Sequence, residues 1–287
     1  MARFANEFQR GVMLDAYGCV DVVIEGLAFY GATSTSPTYA GARAGILFPY
    51  KPGSGGASEL TCRNCTFSYF NSSTGGNPSI FPTATAGVQV GFAVSDGGCD
   101  QTRFFECGFV SSIAGILYVN NQSLGHELHG CGMSLVTNCV WVQAGGNMQW
   151  TGGIIEACST VLRLGLTFYP FSGGGPNAAV FMLENIRTES TNQLSTDAVL
   201  VDATSVAGAV NIVVVGWNDA APHNDGTPAF RLGPGANVTV RDSTVNRSAS
   251  GSLAQESAYV QSVHIDNVGS GYTLSLIHIS EPTRQAE

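Results

Sequence analysis

Lysine occurs once in this 287-residue chain, at Lys51, and charged residues of every kind make up only 11% of it, less than half the ~25% of an average soluble domain. With 12 basic against 21 acidic side chains the formal net charge is −9, so the sequence offers no basic surface to nucleic acid or to an anionic membrane. So few charges also exclude a fold of amphipathic surface helices, whose outer faces need them. Long apolar runs are missing too. Nothing approaches the ~18 residues of a membrane-spanning helix, and no basic start followed by an apolar stretch reads as a secretory leader. Helical periodicity is faint and confined to Phe4–Arg10 and Gln255–Ala258.

What the chain has instead is glycine, 36 residues, and a repeat. Two short patterns interleave along its length. The first is small-apolar-x-apolar: GVMLDA from Gly11, AGILFPY from Ala44, AGVQVGF from Ala86, AGILYVN from Ala114, then TVLRLG, DAVLVDA, PAFRLG and SAYVQS. The second is a strand, one punctuating residue and a further apolar alternation: DVVIEGLAF, ELTCRNCTF, TRFFECGF, SLVTNCVW, VFMLENIRT, NIVVVGW, NVTVRDSTV and SVHIDNV. Its punctuators are Gly26, Asn64, Glu106, Asn138, Asn185, Gly216, Asp242 and Asn267. Gly, Asn and Asp share a tolerance for the left-handed backbone conformation, so the slot reads as a one-residue bend between strands, with Glu106 the exception.

Short β-branched and aromatic strands at an elastic period predict a solenoid, in which each coil contacts its neighbours and insertions go into loops. The column after the punctuator (Leu27, Cys65, Cys107, Cys139, Ile186, Trp217) and the column two further on (Phe29, Phe67, Phe109, Trp141, Thr188) are expected to point inward and stack. The cysteines then read as small buried hydrophobes rather than as a disulfide framework. A propeller would show a more rigid period and a hairpin signal in every unit.

On these ladders, and on the phrases VTNCVW and ENIRTES, residues from about Gly11 to Tyr272 resemble the right-handed parallel β-helix of the pectate-lyase-like superfamily, which includes polysaccharide lyases, glycoside hydrolases and phage tailspikes. The fold expected is therefore all-β, a single-stranded right-handed parallel β-helix of about eight coils. The resemblance implies polysaccharide as the partner, extracellular or virion-associated placement, and, through the tailspikes, a homotrimer. Calcium is implied by the resemblance alone; the residues themselves call for no metal or other cofactor. The motifs that mark hydrolytic pectinases and calcium-dependent pectate lyases are absent from the sequence, so the resemblance carries a fold and no specific activity.

Polarity on the outward columns concentrates in the later coils. Arg187 and Glu189 lie two apart on one strand and so share a face, with Asn218, Thr244 and Asn246 expected on the coils that follow. The stretch GGNMQWTGGIIEA, Gly145–Ala157, is expected to add a strand that sets Glu156 opposite Glu189 across a groove. Two carboxylates flanking a bond can serve as acid and base or nucleophile in glycoside cleavage, and an arginine can pair with a uronate. Glu189, Arg187 and Glu156 are thus the candidate catalytic residues, and Asn218, Thr244 and Asn246 the candidate substrate-binding ones, with an exposed Arg–Glu pair on a solvated face as the other reading. The function expected is recognition, with or without lyase or hydrolase cleavage, of polysaccharide. A non-enzymatic structural or adhesive shaft is the alternative.

Three further clusters read as structural. GHELHG, Gly125–Gly130, is expected as a polar loop at a groove wall, since its histidines lack the helical i, i+4 spacing of zinc proteases. CRNC is a lone CxxC whose second cysteine the ladder already buries. The loop NDAAPHNDGTP, Asn218–Pro228, gathers oxygens but does not follow the twelve-residue calcium loop. Finally, Leu274–Arg284 reads as an in-frame translation of a transposase-type sequencing adaptor. Residues 274–287 are expected to be non-native and the β-helix to occupy 1–273, with its natural C-terminus missing and little room for a cap before Gly11.

Overall fold

The computed structural model describes residues 12–16, 19–31, 44–48, 57–70, 90–94, 99–118, 124–143, 146–165, 179–189, 199–206, 210–220, 228–233, 235–244 and 254–256. Among them there is no helix, and the strands recur in threes. The first triplet is β1 (Val12–Asp15), β2 (Val20–Glu25) and β3 (Ala28–Tyr30), and the second β4 (Ala44–Leu47), β5 (Ala57–Arg63) and β6 (Thr66–Phe70). Next come β7 (Val90–Val94), β8 (Cys99–Phe105) and β9 (Gly108–Ser112), then β10 (Ala114–Tyr118), β11 (His126–His129) and β12 (Gly132–Ser134). They are followed by β13 (Asn138–Val142), β14 (Met148–Thr151) and β15 (Ile154–Glu156), then β16 (Thr160–Leu164), β17 (Ala179–Glu184) and β18 (Arg187–Glu189). The seventh triplet is β19 (Val199–Ala203), β20 (Val210–Val215) and β21 (Asn218–Asp219); β22 (Phe230–Leu232) and β23 (Ala236–Arg241) follow as first and second members, and β24 (Ala254–Glu256) is again a first member, paired with β22.

First members of the triplets pair only with first members, second with second and third with third, always in parallel. The result is sheet A of nine strands, sheet B of eight and sheet C of seven. This is the arrangement of a parallel β-solenoid: the chain visits A, B and C in turn and steps by one strand, ~4.8 Å, at each return.

The corner from B to C is always two residues long, and its first residue is always left-handed: Gly26, Asn64, Glu106, Gly130, Gly152, Asn185, Gly216 and Asp242 all have φ between 48° and 68°. A left-handed non-glycine residue costs roughly 1–2 kcal/mol. It is held there because the hydrogen-bond ladder does not break at the corner. Asn64 donates to the Phe105 carbonyl at 2.9 Å, Glu106 to that of His129 at 2.8 Å, and Asn185 to that of Val215 at 2.8 Å. Glu106 therefore bends as its neighbours do.

The slot is not filled by Asn138, however. Asn138 opens β13 in sheet A, and the corners of those two turns are Gly130 and Gly152. Cys139 accordingly leaves the corner column, which runs through Cys131 instead. Cys139 is still buried, but within sheet A, and Trp141 faces outward rather than into the core. The stretch expected as one extra strand is most of a full turn, β14 and β15. Asn267 and the adaptor-like tail lie outside the described residues.

The core is the interior of the three sheets. Phe29, Phe67 and Phe109 occupy one register position on successive turns, with ring centroids 4.9 and 4.8 Å apart and planes within 7°. The same column continues as Met133, Ile155, Thr188 and Asp219, all buried.

Candidate functional site

β12, β15, β18 and β21 neighbour one another in sheet C, and their outward positions collect the predicted residues. Glu156 and Glu189 are direct register partners, as are Arg187 and Asn218, and Asn218 makes an isolated parallel bridge to Thr244. The two glutamates therefore stand side by side on one face, one strand apart, and not across a groove. Asn246 lies outside the described residues. Arg187 Nε sits 2.6 Å from Glu189 Oε1, with both side chains more than a third exposed. Inward from this face, the Thr188 hydroxyl donates to Asp219 Oδ1 at 2.8 Å and accepts the Trp217 indole N–H at 2.8 Å, which fixes the floor on which Arg187 and Asn218 stand.

GHELHG is not a loop. It forms β11, and strand alternation sends its two histidines to opposite sides. His126 points inward and is buried, with Nδ1 2.7 Å from Thr102 Oγ1 and its ring stacked at 3.8 Å on Tyr118, whose phenol burial pushes well above its ordinary pKa. His129 points outward, 3.2 Å from Glu127 and stacked at 4.9 Å on Phe105, which in turn carries the Arg63 guanidinium 5.3 Å from its ring centre. Arg103 Nε approaches Glu127 at 3.7 Å. The outer face of sheet B is thus a ladder whose planar groups cover one another.

A second polar column was not found from the sequence. On the outward side of sheet A, Trp141, Arg163, Asp202 and Arg231 follow one another in register. The Arg163 guanidinium lies 4.6 Å from the Trp141 ring centre, and Asp202 Oδ1 accepts from the backbone and hydroxyl of Thr204 at 3.2 and 2.7 Å. Among the described residues the buried indole N–H of Trp141 has no hydrogen-bond partner.

The connections point to the same sheet. All B-to-C links are two residues, whereas one to nineteen residues of sequence separate the strands of sheet A from their neighbours along the chain, the longer stretches lying mostly outside the described residues. That length asymmetry is the available signal in the sequence, and the likeness of SLVTNCVW to the B-to-C pattern hides it.

No group of three His, Cys, Asp or Glu side chains converges among the described residues in a way that could hold a metal. Residues 221–227 of the oxygen-rich loop lie outside the described residues. No helix among them is long and apolar enough to cross a membrane. Comparison with family models, curated proteins and solved structures finds no match to the chain.

Proposed function

We propose that the chain is a right-handed parallel β-helix of about eight coils, akin to the pectate-lyase-like proteins, that binds and cleaves polysaccharide on its outward faces. The observation that carries this reading is the register pairing of Glu156 with Glu189 beside Arg187. Strands one step apart hold their outward side chains ~4.8 Å apart, close to the ~5–5.5 Å between the two carboxyl groups of a retaining glycosidase. In that role one glutamate protonates the glycosidic oxygen as the bond breaks and the other attacks or stabilises the sugar cation. Arg187 pairs with a sugar carboxylate or orients Glu189, and Asn218 and Thr244 supply hydrogen bonds to the next sugar. For a uronate polymer, elimination is the competing route, with a glutamate taking the sugar C–H proton.

Incubating the protein with a panel of neutral and acidic polysaccharides tests this. New reducing ends without unsaturated-uronate absorbance mean hydrolysis, and both together mean elimination. Loss of products in Glu189→Gln with retained thermal stability supports the sheet C site. Loss in Trp141→Ala or Arg163→Ala, with Glu189→Gln unaffected, moves the site to sheet A. Absence of products throughout overturns cleavage.

The second reading, a structural or adhesive shaft of trimeric rods at an extracellular or virion surface, is favoured by sheet B, where Arg63, Phe105, His129, Glu127 and Arg103 contact one another. A concentration-independent trimer mass with no polysaccharide products supports it.

A further inference from the structure

In part of the rod, the corner that joins sheets B and C carries a second chemical feature beside its left-handed first residue. Its second residue is cysteine at three successive turns, Cys65, Cys107 and Cys131, which occupy one register column. Each sulfur reaches back over the bend to the carbonyl two residues before it: Cys65 to Arg63 at 3.3 Å, Cys107 to Phe105 at 3.5 Å and Cys131 to His129 at 3.7 Å. Each also reaches a carbonyl one turn back, of Ile24, Cys62 and Phe104 at 3.5, 3.5 and 3.6 Å. Cys158, after the left-handed Ala157 at the end of sheet C, repeats the geometry with Glu156 at 3.3 Å and Met133 at 3.6 Å. Where the same B-to-C slot is serine, Ser243, its hydroxyl donates to the Arg241 carbonyl at 2.7 Å. Leu27, Gly153, Ile186 and Trp217 fill the slot in the other turns, so the donating thiols are a feature of three successive turns and not a demand of every corner.

We infer that this fold is reached only with the corner cysteines reduced, so that oxidation of the unfolded chain is a redox switch against folding. A disulfide forms when two thiols give up two protons and pass two electrons to an oxidant, for instance oxidised glutathione, which leaves as two glutathione thiols. The product has no S–H left for the corner. Bridging Cys65 to Cys107 would also draw two Cβ atoms from the ~4.8 Å strand spacing to ~3.8 Å, pinching one turn against the next. In the unfolded chain, Cys62 and Cys65 are separated by only two residues and oxidise readily. In the folded chain, Cys62, Cys65, Cys107, Cys131, Cys139 and Cys158 are free and none exceeds 3% exposure, so the finished solenoid shields the thiols that its formation needs. This inference does not depend on what the outward faces bind.

The test is to unfold the whole chain in denaturant and refold it in dithiothreitol or in oxidised glutathione. Cooperative melting should return only in dithiothreitol, at an intact mass showing every thiol free, and these thiols should resist alkylation until denaturant is added. Equal recovery in both buffers, or a disulfide in the native protein, overturns the inference. A Cys65→Ser/Cys107→Ser/Cys131→Ser variant, which keeps a donor in each slot as Ser243 does, should fold in dithiothreitol and recover at least several-fold better than the parent in glutathione. A variant that fails even in dithiothreitol, or that stays as redox-dependent as the parent, overturns the role given to the corner donors.

Discussion

Gly153 lies against the carbonyl oxygen of Cys131, one turn away, so closely that a Cβ would fall inside the oxygen's van der Waals envelope, and its φ of +126° is open only to glycine. It occupies the slot that cysteine fills in the turns before it and ends the thiol column. Gly153→Ala should therefore destabilise the chain by at least about 3 kcal/mol. Gly108→Ala, where a Cβ meets nothing, should stay within about 1 kcal/mol of the parent. Thermal melts of the two variants check this, and equal effects would refute it.

Phe67 is sandwiched between Phe29 and Phe109 with no solvent exposure. Its replacement by alanine leaves a cavity with partners on both sides that the strand spacing keeps from closing in. The expected loss is about 3–5 kcal/mol for Phe67→Ala and about 1.5 for Phe67→Leu, read from denaturant midpoints. A Phe67→Ala effect under 1 kcal/mol would mean that the turns can collapse on one another.

Alkali should destabilise the solenoid before it affects an ordinary domain. Burial pushes the Cys131 thiol up to about 11 and raises Cys139. For a group whose folded pKa is raised, the stabilising contribution is complete below its ordinary value, 9.0 here, and is lost as the pH climbs towards the folded value. Between those limits each such thiol removes about 1.4 kcal/mol per pH unit. Melting temperatures should be flat to about pH 9 and fall beyond it, and Cys131→Ser should flatten the slope. A parent whose melting point is unchanged at pH 10.5 contradicts this.

The Arg187–Glu189 pair is exposed enough for water to screen it, so Glu189→Gln should change stability by no more than about 1 kcal/mol. Any large loss of polysaccharide turnover in that variant then reports on chemistry. A melt lowered far beyond this bound would show instead that the pair braces β18.

Much of the architecture was legible because one corner has a strict backbone demand. Gly26, Asn64, Asn185, Gly216 and Asp242 announce it through residues that tolerate left-handed φ, and Phe29, Phe67 and Phe109 announce the stacking. The reading slipped where two demands look alike. Asn138 is as compatible with a strand start as with a bend, and its side-chain N–H bonds the Ile113 carbonyl at 3.3 Å from within sheet A. The true corners at Gly130 and Gly152 were lost among the chain's many glycines, beside three-residue strands too short to show alternation. For the site, Arg187 and Glu189 on one face follow from their spacing of two, whereas Glu156 stands beside Glu189 and not across a groove from it, because Gly145–Ala157 forms most of a turn and not one added strand. The Trp141 to Arg231 column starts from a residue hidden in SLVTNCVW, although TVLRLG, DAVLVDA and PAFRLG already carry Arg163, Asp202 and Arg231 at equivalent positions.

The unbroken ladder at the corners has a mechanical consequence. Strands lie across the long axis, so the hydrogen bonds between turns run along it, and those made by Asn64, Glu106 and Asn185 close the gaps at the edges of the sheets. An axial load is shared at once by the bonds of sheets B and C and of the corner between them, where no seam is left at which a tear can start. Force on a free chain end meets the same bonds one after another. The molecule resists stretching as a column and yields to peeling.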